Sequence, residues 1–135
     1  MLLSVQFGCG RGAFVTTSKQ RKGVWVVNVF GPLTTPDNVG RLGLAIEHVL
    51  RSNPVRERPL RIQVDPTRLT DLSEVGVKGL RFFRSLVARD NRNNTLSLVR
   101  ATRRTRNVLC NQIRHALEDQ LPTCSVVEEG ALYLV

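Results

Sequence analysis

The residues with the clearest chemical potential in this chain lie in LTDLSEVGVKGL, Leu69 to Leu80, where an apolar strand pattern gives way to a helical one. Ser73 and Glu74 stand where the helix should begin. A hydroxyl at a helix N-terminus lies among unpaired backbone N–H groups at the positive end of the helix dipole, which favours an added phosphate. That phosphate would also bring about two negative charges into any interface covering the junction. A phosphate at this junction would therefore be favoured by the helix and would change any interface that covers it.

Two features of this junction have alternative interpretations. Glu74 supplies a permanent negative charge, which either fixes a phospho-like state or is a favourable first-turn residue worth about 0.3–1 kcal/mol. Gly76 and Gly79 fall in the first turns, where glycine costs roughly 1 kcal/mol relative to alanine. They allow either the close approach of a partner backbone or the close packing of helix against sheet. The sequence leaves both questions open.

Arginines cluster at the start of a third predicted helix, where cations oppose the helix dipole and repel one another. Because local stability does not explain them, they form a candidate site for a phosphate-bearing or acidic partner. The alternatives are a solvated cluster, or neutralisation of Glu74 if the two segments lie side by side. The cluster consists of Arg100, Arg103, Arg104 and Arg106.

A second basic stripe follows the outer face of the second predicted helix, at Lys78, Arg81, Ser85 and Arg89. Such a stripe is either a solvated face or a surface suited to an acidic protein groove. Phe82 and Phe83 are adjacent and cannot share one helix face. Phe83 lies on the apolar stripe, so it is predicted to be in the core.

The net charge of +9 permits nucleic acid, an anionic lipid surface or an acidic protein as partner. Nucleic acid is not favoured, because aromatic residues make up only 5% of the chain and no nucleic-acid-binding motif is present. The apolar runs are too short to cross a membrane, and the start, MLLSVQF, lacks the features of a secretory signal. We therefore expect a cytoplasmic protein.

No residue set indicates an enzyme, a metal site or a cofactor. His48 and His115 are isolated from any Cys or carboxylate set with metal-ligand spacing, and His48 is predicted on a polar helix face. The glycines of GCGRG precede a strand and not a helix, so the dipole that assists phosphate binding is missing. The three cysteines are odd in number and widely spaced, which favours reduced thiols.

The hydropathy pattern predicts one domain over 1–135 with the element order β-β-β-α-β-α-β-α-β-β. Helices between strands imply parallel crossovers, and half-polar strands imply that helices cover one side of the sheet. Thr35, Ser73 and Thr102 are predicted to cap the three helices, and Gly31 with Pro32 to end the third strand. The strands are predicted at Leu3–Phe7, Ala13–Thr17, Val24–Phe30, Leu60–Asp65, Thr95–Val99, Ser125–Val127 and Ala131–Val135.

This arrangement resembles the STAS domain, the fold of bacterial anti-sigma factor antagonists, over about residues 14–122. GVWVVNVFGPLTTPDN resembles the second strand of the family and its glycine turn, LRIQVDPTRLTDLSEVGVKGL its strand and D-S-S-G-L loop, and TLSLVRATRRTRNVL its next strand and last helix. In the family, a loop hydroxyl before the glycine is phosphorylated by a kinase that is also an anti-sigma factor. Here Glu74 and Val75 stand at the two hydroxyl positions, before Gly76, and Thr34 replaces an acidic residue of the first turn. A register shift of one would make Ser73 the acceptor.

The resemblance implies a non-catalytic regulatory module that binds a protein partner, either an anti-sigma-type kinase or a subunit of a complex. The expected contact surface consists of Thr34, Ser73, Glu74, Val75, Gly76, Lys78 and Arg81. One alternative is a basic module that binds nucleic acid or phospholipid head groups. Another is a scaffold subunit in which the terminal strands form a homodimer edge.

Overall fold

The computed structural model describes residues 4–8, 13–99, 124–127 and 131–134. The helices are α1 (Pro36–Ser52) and α2 (Glu74–Asp90), and a short 3₁₀ turn spans Val55–Glu57. The strands are β1 (Ser4–Phe7), β2 (Phe14–Arg21), β3 (Val24–Leu33), β4 (Arg61–Leu72), β5 (Thr95–Leu98), β6 (Cys124–Val127) and β7 (Ala131–Leu134).

The strands form one seven-stranded mixed sheet in the order β1-β2-β3-β4-β5-β7-β6. The pairs β3–β4 and β4–β5 are parallel, and the other four pairs are antiparallel. The parallel strands are joined by α1 and α2, which pack against each other and against the sheet on the same face. Because β3, β4 and β5 are added in one direction across the sheet, crossovers of the same hand place both helices on one side of it. The predicted mixed α/β architecture is thus confirmed, and the order of β1 to β5 fits a STAS-like fold.

A single core lies between the sheet and the two helices. Trp25, Val27, Val29 and Leu33 alternate along β3 and are buried on the helix side. The helices contribute their apolar stripes, including Leu42, Ile46 and Val49 from α1 and Val77, Leu80, Phe83 and Val87 from α2. The predicted core position of Phe83 is therefore correct.

Strands β3 and β4 run beyond their predicted ends. The sequence pattern placed the end of β3 at Gly31 and Pro32, but the strand continues to Leu33. Gly31 adopts a φ of 85°, which a residue with a side chain rarely does, and the register shifts on either side of it. This irregularity also accommodates Pro32, which cannot donate a hydrogen bond to the sheet. Strand β4 follows β3 to this end, so that Leu33 is paired with Leu72.

The C-terminal strands form the predicted antiparallel hairpin, and β7 attaches it to β5. Strand β1 lies at the opposite edge, paired with β2. The predicted third helix lies outside the described residues, as do the four arginines at its start and His115. No helix in the described part of the chain is long and apolar enough to cross a membrane.

Candidate functional site

The two helices begin side by side at one corner of the sheet. The backbone N–H of Ser73 donates to the carbonyl oxygen of Leu33 at 3.3 Å, and the Ser73 hydroxyl donates to the carbonyl oxygen of Thr34, also at 3.3 Å. These bonds tie the β4–α2 junction to the β3–α1 junction. As a result, Thr34 and Ser73, which are 39 residues apart, belong to one surface.

The two helix starts are built differently. Thr35 forms a full capping box, because its hydroxyl accepts from the N–H of Asn38 and the Asn38 side chain accepts from the N–H of Thr35, both at 3.2 Å. Ser73 is the cap residue of α2, as predicted, but its side chain makes no capping bond. Its half-buried hydroxyl is directed instead to Thr34. The positive end of the α2 dipole is therefore offset by the charge of Glu74 in the first turn.

The first turn of α2 is open to solvent. Glu74 forms an ion pair with Lys78 at 3.0 Å, but both side chains are more than half exposed, so the pair contributes little to stability. Val75, in the same turn, is an apolar side chain that is 40% exposed. Arg81, one turn further along, is half-buried. This first turn follows directly on Ser73, which is bonded to Thr34.

The two glycines of this turn are explained by packing within the chain. Gly76 is buried, and a β-carbon there would overlap the carbonyl oxygen of Leu33 and come within 2.8 Å of Leu72 Cδ1. A β-carbon at Gly79 would lie 2.5 Å from the Val39 side chain of α1. Gly76 was expected in the contact surface. In the structure it is buried against the ends of β3 and β4.

Charge is unevenly distributed over the helix layer. Exposed carboxylates lie at the corner, on Asp37, Asp71 and Glu74. Further along α2 the exposed or half-exposed charged residues are cations, Arg81, Arg84 and Arg89, up to Asp90 at the end of the helix. The corner therefore carries both signs of charge, since Lys78 is paired with Glu74 there, and the adjoining surface of α2 is basic.

The sequence pattern missed a shallow depression on α2 lined by Arg81, Phe82, Arg84 and Ser85. Phe82 is 57% exposed, and among the described residues it is the one aromatic side chain that is largely open to solvent. Its position off the apolar stripe of α2 is the sequence feature that could have predicted this exposure. The pattern did not show that two arginines line the same depression as Phe82.

Comparisons with known proteins support the fold alone. No protein-family profile and no curated protein matches this sequence. Among solved structures, the chain resembles part of the murine Solute Carrier 26 family member A9 (Slc26a9) anion transporter in the inward-facing state, with a TM-score of 0.53 and 16% identity. The similarity covers 76% of this chain and 15% of the transporter chain.

Proposed function

We propose that this chain is a non-catalytic, STAS-type regulatory module that binds a protein partner through the corner where α1 and α2 begin. We define the corner surface as Thr34, Ser73, Glu74, Val75, Lys78 and Arg81. The observation that carries the proposal is the bond from the Ser73 hydroxyl to Thr34 O, because it joins two distant loops beside the exposed first turn of α2. The STAS-like order of strands supports the class of module.

The composition of this surface suits a protein partner. Val75 offers apolar area, while Glu74 and Lys78 offer both signs of charge at its rim. Interfaces commonly combine an apolar centre with a polar rim. The partner class that the resemblance implies is a kinase that also acts as an anti-sigma factor.

Docking in this proposal does not require a phosphate. Glu74 already carries a negative charge at the helix start, and the Ser73 hydroxyl is engaged with Thr34 O. Phosphorylation of Ser73 would break this bond and add negative charge beside Glu74, so we expect it to weaken docking. Incubation with a candidate kinase, followed by mass mapping, tests whether Ser73 is modified at all.

The docking surface can be tested with two exposed valines. Val75 lies in the corner, whereas Val55 is 82% exposed in the 3₁₀ turn that follows the other end of α1. A photo-crosslinking residue is placed at each position, and each protein encoded by the neighbouring genes is offered as partner. We expect crosslinking from position 75 and none from position 55.

The matched substitutions Val75→Glu and Val55→Glu complete the test. Val75→Glu should weaken binding of the crosslinked partner by at least about tenfold, because it places a charge in the apolar centre. Val55→Glu should leave binding unchanged. Equal crosslinking from both positions, or equal loss of binding in both variants, would contradict the corner as the docking surface.

A further inference from the structure

The outer side of α2 carries a cationic–aromatic surface, which we define as Arg81, Phe82, Arg84 and Ser85. These four residues line one shallow depression. Residues three and four apart on a helix are neighbours, so Ser85 lies one turn above Arg81 and Phe82. Phe82, Arg84 and Ser85 are exposed, and Arg81 is half-buried.

The ring of Phe82 packs against a buried aromatic residue. It meets the ring of Phe83 edge to face, with the centroids 5.8 Å apart and an interplanar angle of 70°. Phe83 is itself buried and packs so closely on Gly43 of α1 that a β-carbon there would lie 3.0 Å from the ring. An aromatic side chain fixed in this way loses little conformational freedom on binding, which favours it as an interface anchor.

The two arginines that line this depression form no ion pair with a carboxylate within the described ranges. The ion pairs there join Lys19 to Glu57, Arg51 to Glu47, Arg58 to Asp90 and Lys78 to Glu74. Neither Arg81 nor Arg84 takes part in any of them. A ligand of this surface must therefore supply negative charge and apolar area within one or two helical turns.

The charge distribution limits the shape of that ligand. The carboxylates of Asp37, Asp71 and Glu74 lie at the corner, where α2 begins. A long polyanion that followed α2 would have to pass these carboxylates, whereas a short acidic segment would not. A protein segment also provides apolar side chains and carboxylates together at helical spacing.

We propose that the cationic–aromatic surface binds an acidic amphipathic segment of a partner protein, with an apolar side chain against Phe82 and carboxylates against Arg81 and Arg84. This inference deepens the proposed function, because it names the chemistry of the partner, and it rests on the premise that the chain acts by binding protein. The segment lies beside the corner surface and shares Arg81 with it.

The probe is a fluorescein-labelled amphipathic peptide in which glutamate and leucine recur one helical turn apart. A second peptide carries lysine in place of glutamate. Binding is measured by fluorescence anisotropy at low and at physiological salt. The variants are matched in pairs: Phe82→Ser with Val55→Ser, and Arg84→Glu with Arg56→Glu, since Val55 and Arg56 are both exposed in the 3₁₀ turn.

We expect the acidic peptide to bind and the lysine peptide not to bind. Phe82→Ser and Arg84→Glu should each weaken binding by at least about tenfold, and the two control variants by less than about twofold. Thermal unfolding of all four variants verifies that they are folded. Failure of the acidic peptide to bind, or equal loss in a control and its matched variant, overturns the inference.

Two further outcomes identify other occupants. If oligo(dT) binds as tightly as the peptide and Phe82→Ser leaves its affinity unchanged, the surface binds polyanions and the inference is wrong. If anionic lipid vesicles bind the chain and displace the peptide, the inference is likewise wrong.

The crosslinking test at Val75 is independent of these results. Loss of peptide binding with intact crosslinking at Val75 removes only this inference, and peptide binding without that crosslinking removes only the corner as docking surface.

Discussion

The backbone of Gly76 lies directly against the carbonyl oxygen of Leu33, with no room for a β-carbon between them. Through this contact the first turn of α2 packs closely on the end of β3. It also explains why Ser73 can reach across to Thr34, since the same approach brings the two junctions together. The accessible corner therefore depends on a residue that is itself buried.

The first prediction concerns two glycines in helices. Gly76→Ala should lower the free energy of unfolding by about 1–3 kcal/mol, because the added methyl group forces α2 away from Leu33. Gly40→Ala is the matched control in α1, where a β-carbon meets nothing within 4 Å. It should raise the free energy of unfolding by about 0.5–1 kcal/mol, as alanine does in an open helix position. Urea denaturation of both variants measures the difference, and equal stability of the two would refute it.

A second prediction compares the two helix caps. Thr35→Ala removes a capping box and should lower the free energy of unfolding by about 1 kcal/mol. Ser73→Ala removes one bond to Thr34 O and no capping bond, so the loss should stay below about 1 kcal/mol and below that of Thr35→Ala. Chemical denaturation tests the order. A larger loss for Ser73→Ala would mean that its hydroxyl does cap α2.

The comparison of these caps shows where sequence reasoning succeeds and where it stops. A hydroxyl followed by proline predicted the start of α1, because all the atoms involved are within four residues of one another. The direction of the Ser73 hydroxyl could not be predicted, since its partner Thr34 is distant in the chain. The roles of Gly76 and Gly79 were ambiguous for the same reason: only the fold shows which backbone or side chain each one faces.

His48, which lies at the margin of the core, also shows that distant contacts could not be predicted from the sequence. Its helical position predicted a polar face, but the structure places it partly buried, with ring centroids 5.5 Å from Phe7 and 6.4 Å from Trp25. Strand β1, which supplies Phe7, covers this side of α1. Helical periodicity reports which residues face the sheet beneath the helix. It does not show that rings of the sheet, here Phe7 and Trp25, also reach a residue on the side of the helix.

The third prediction concerns the single tryptophan of the chain. The indole N–H of Trp25 donates to Asn53 Oδ1 at 3.1 Å, and the Asn53 amide donates to Val49 O at 2.5 Å. Both Trp25 and Asn53 are buried, so Asn53→Ala leaves the indole N–H and a helix carbonyl without partners. The free energy of unfolding should fall by about 1–3 kcal/mol. Tryptophan fluorescence during denaturation measures this.

Asn93→Ala is the control for this substitution, because Asn93 is exposed in the turn after α2. It should change the free energy of unfolding by less than about 0.5 kcal/mol and leave the fluorescence of the native protein unchanged. Native fluorescence should change in Asn53→Ala, since the hydrogen bond of the fluorophore is lost. An unchanged spectrum and unchanged stability in that variant would show that the bond contributes nothing.

The last prediction concerns Arg58, which joins the C-terminal ends of the two helices. Its guanidinium donates to both oxygens of Asp90, at 2.7 and 3.1 Å, and its side chain is only 8% exposed. The same guanidinium donates to the backbone oxygens of Leu50, Asn53 and Pro54 at the end of α1. Replacement of Asp90 should therefore loosen both helices at once.

The bond from Arg58 holds the pKa of the Asp90 carboxyl below its usual value, against the opposing effect of burial. A lowered pKa in the folded state stabilises the protein above the ordinary aspartate pKa of 3.8, and this stabilisation is lost as the pH falls through the folded-state value. Asp90→Asn should lower the free energy of unfolding by about 1.5–3 kcal/mol at neutral pH. The difference from the unmodified protein should shrink as the pH falls below 3.8.

Glu47→Gln provides the control for Asp90→Asn. Glu47 pairs with Arg51 at 3.6 Å on the exposed side of α1, where ion pairs are screened by solvent. Its replacement should lower the free energy of unfolding by no more than about 0.5 kcal/mol. Denaturation curves over a pH series compare the loss of stability in Asp90→Asn with that in Glu47→Gln. A loss in Asp90→Asn that does not diminish in acid would show that the charge on Asp90 is not what holds the helix ends together.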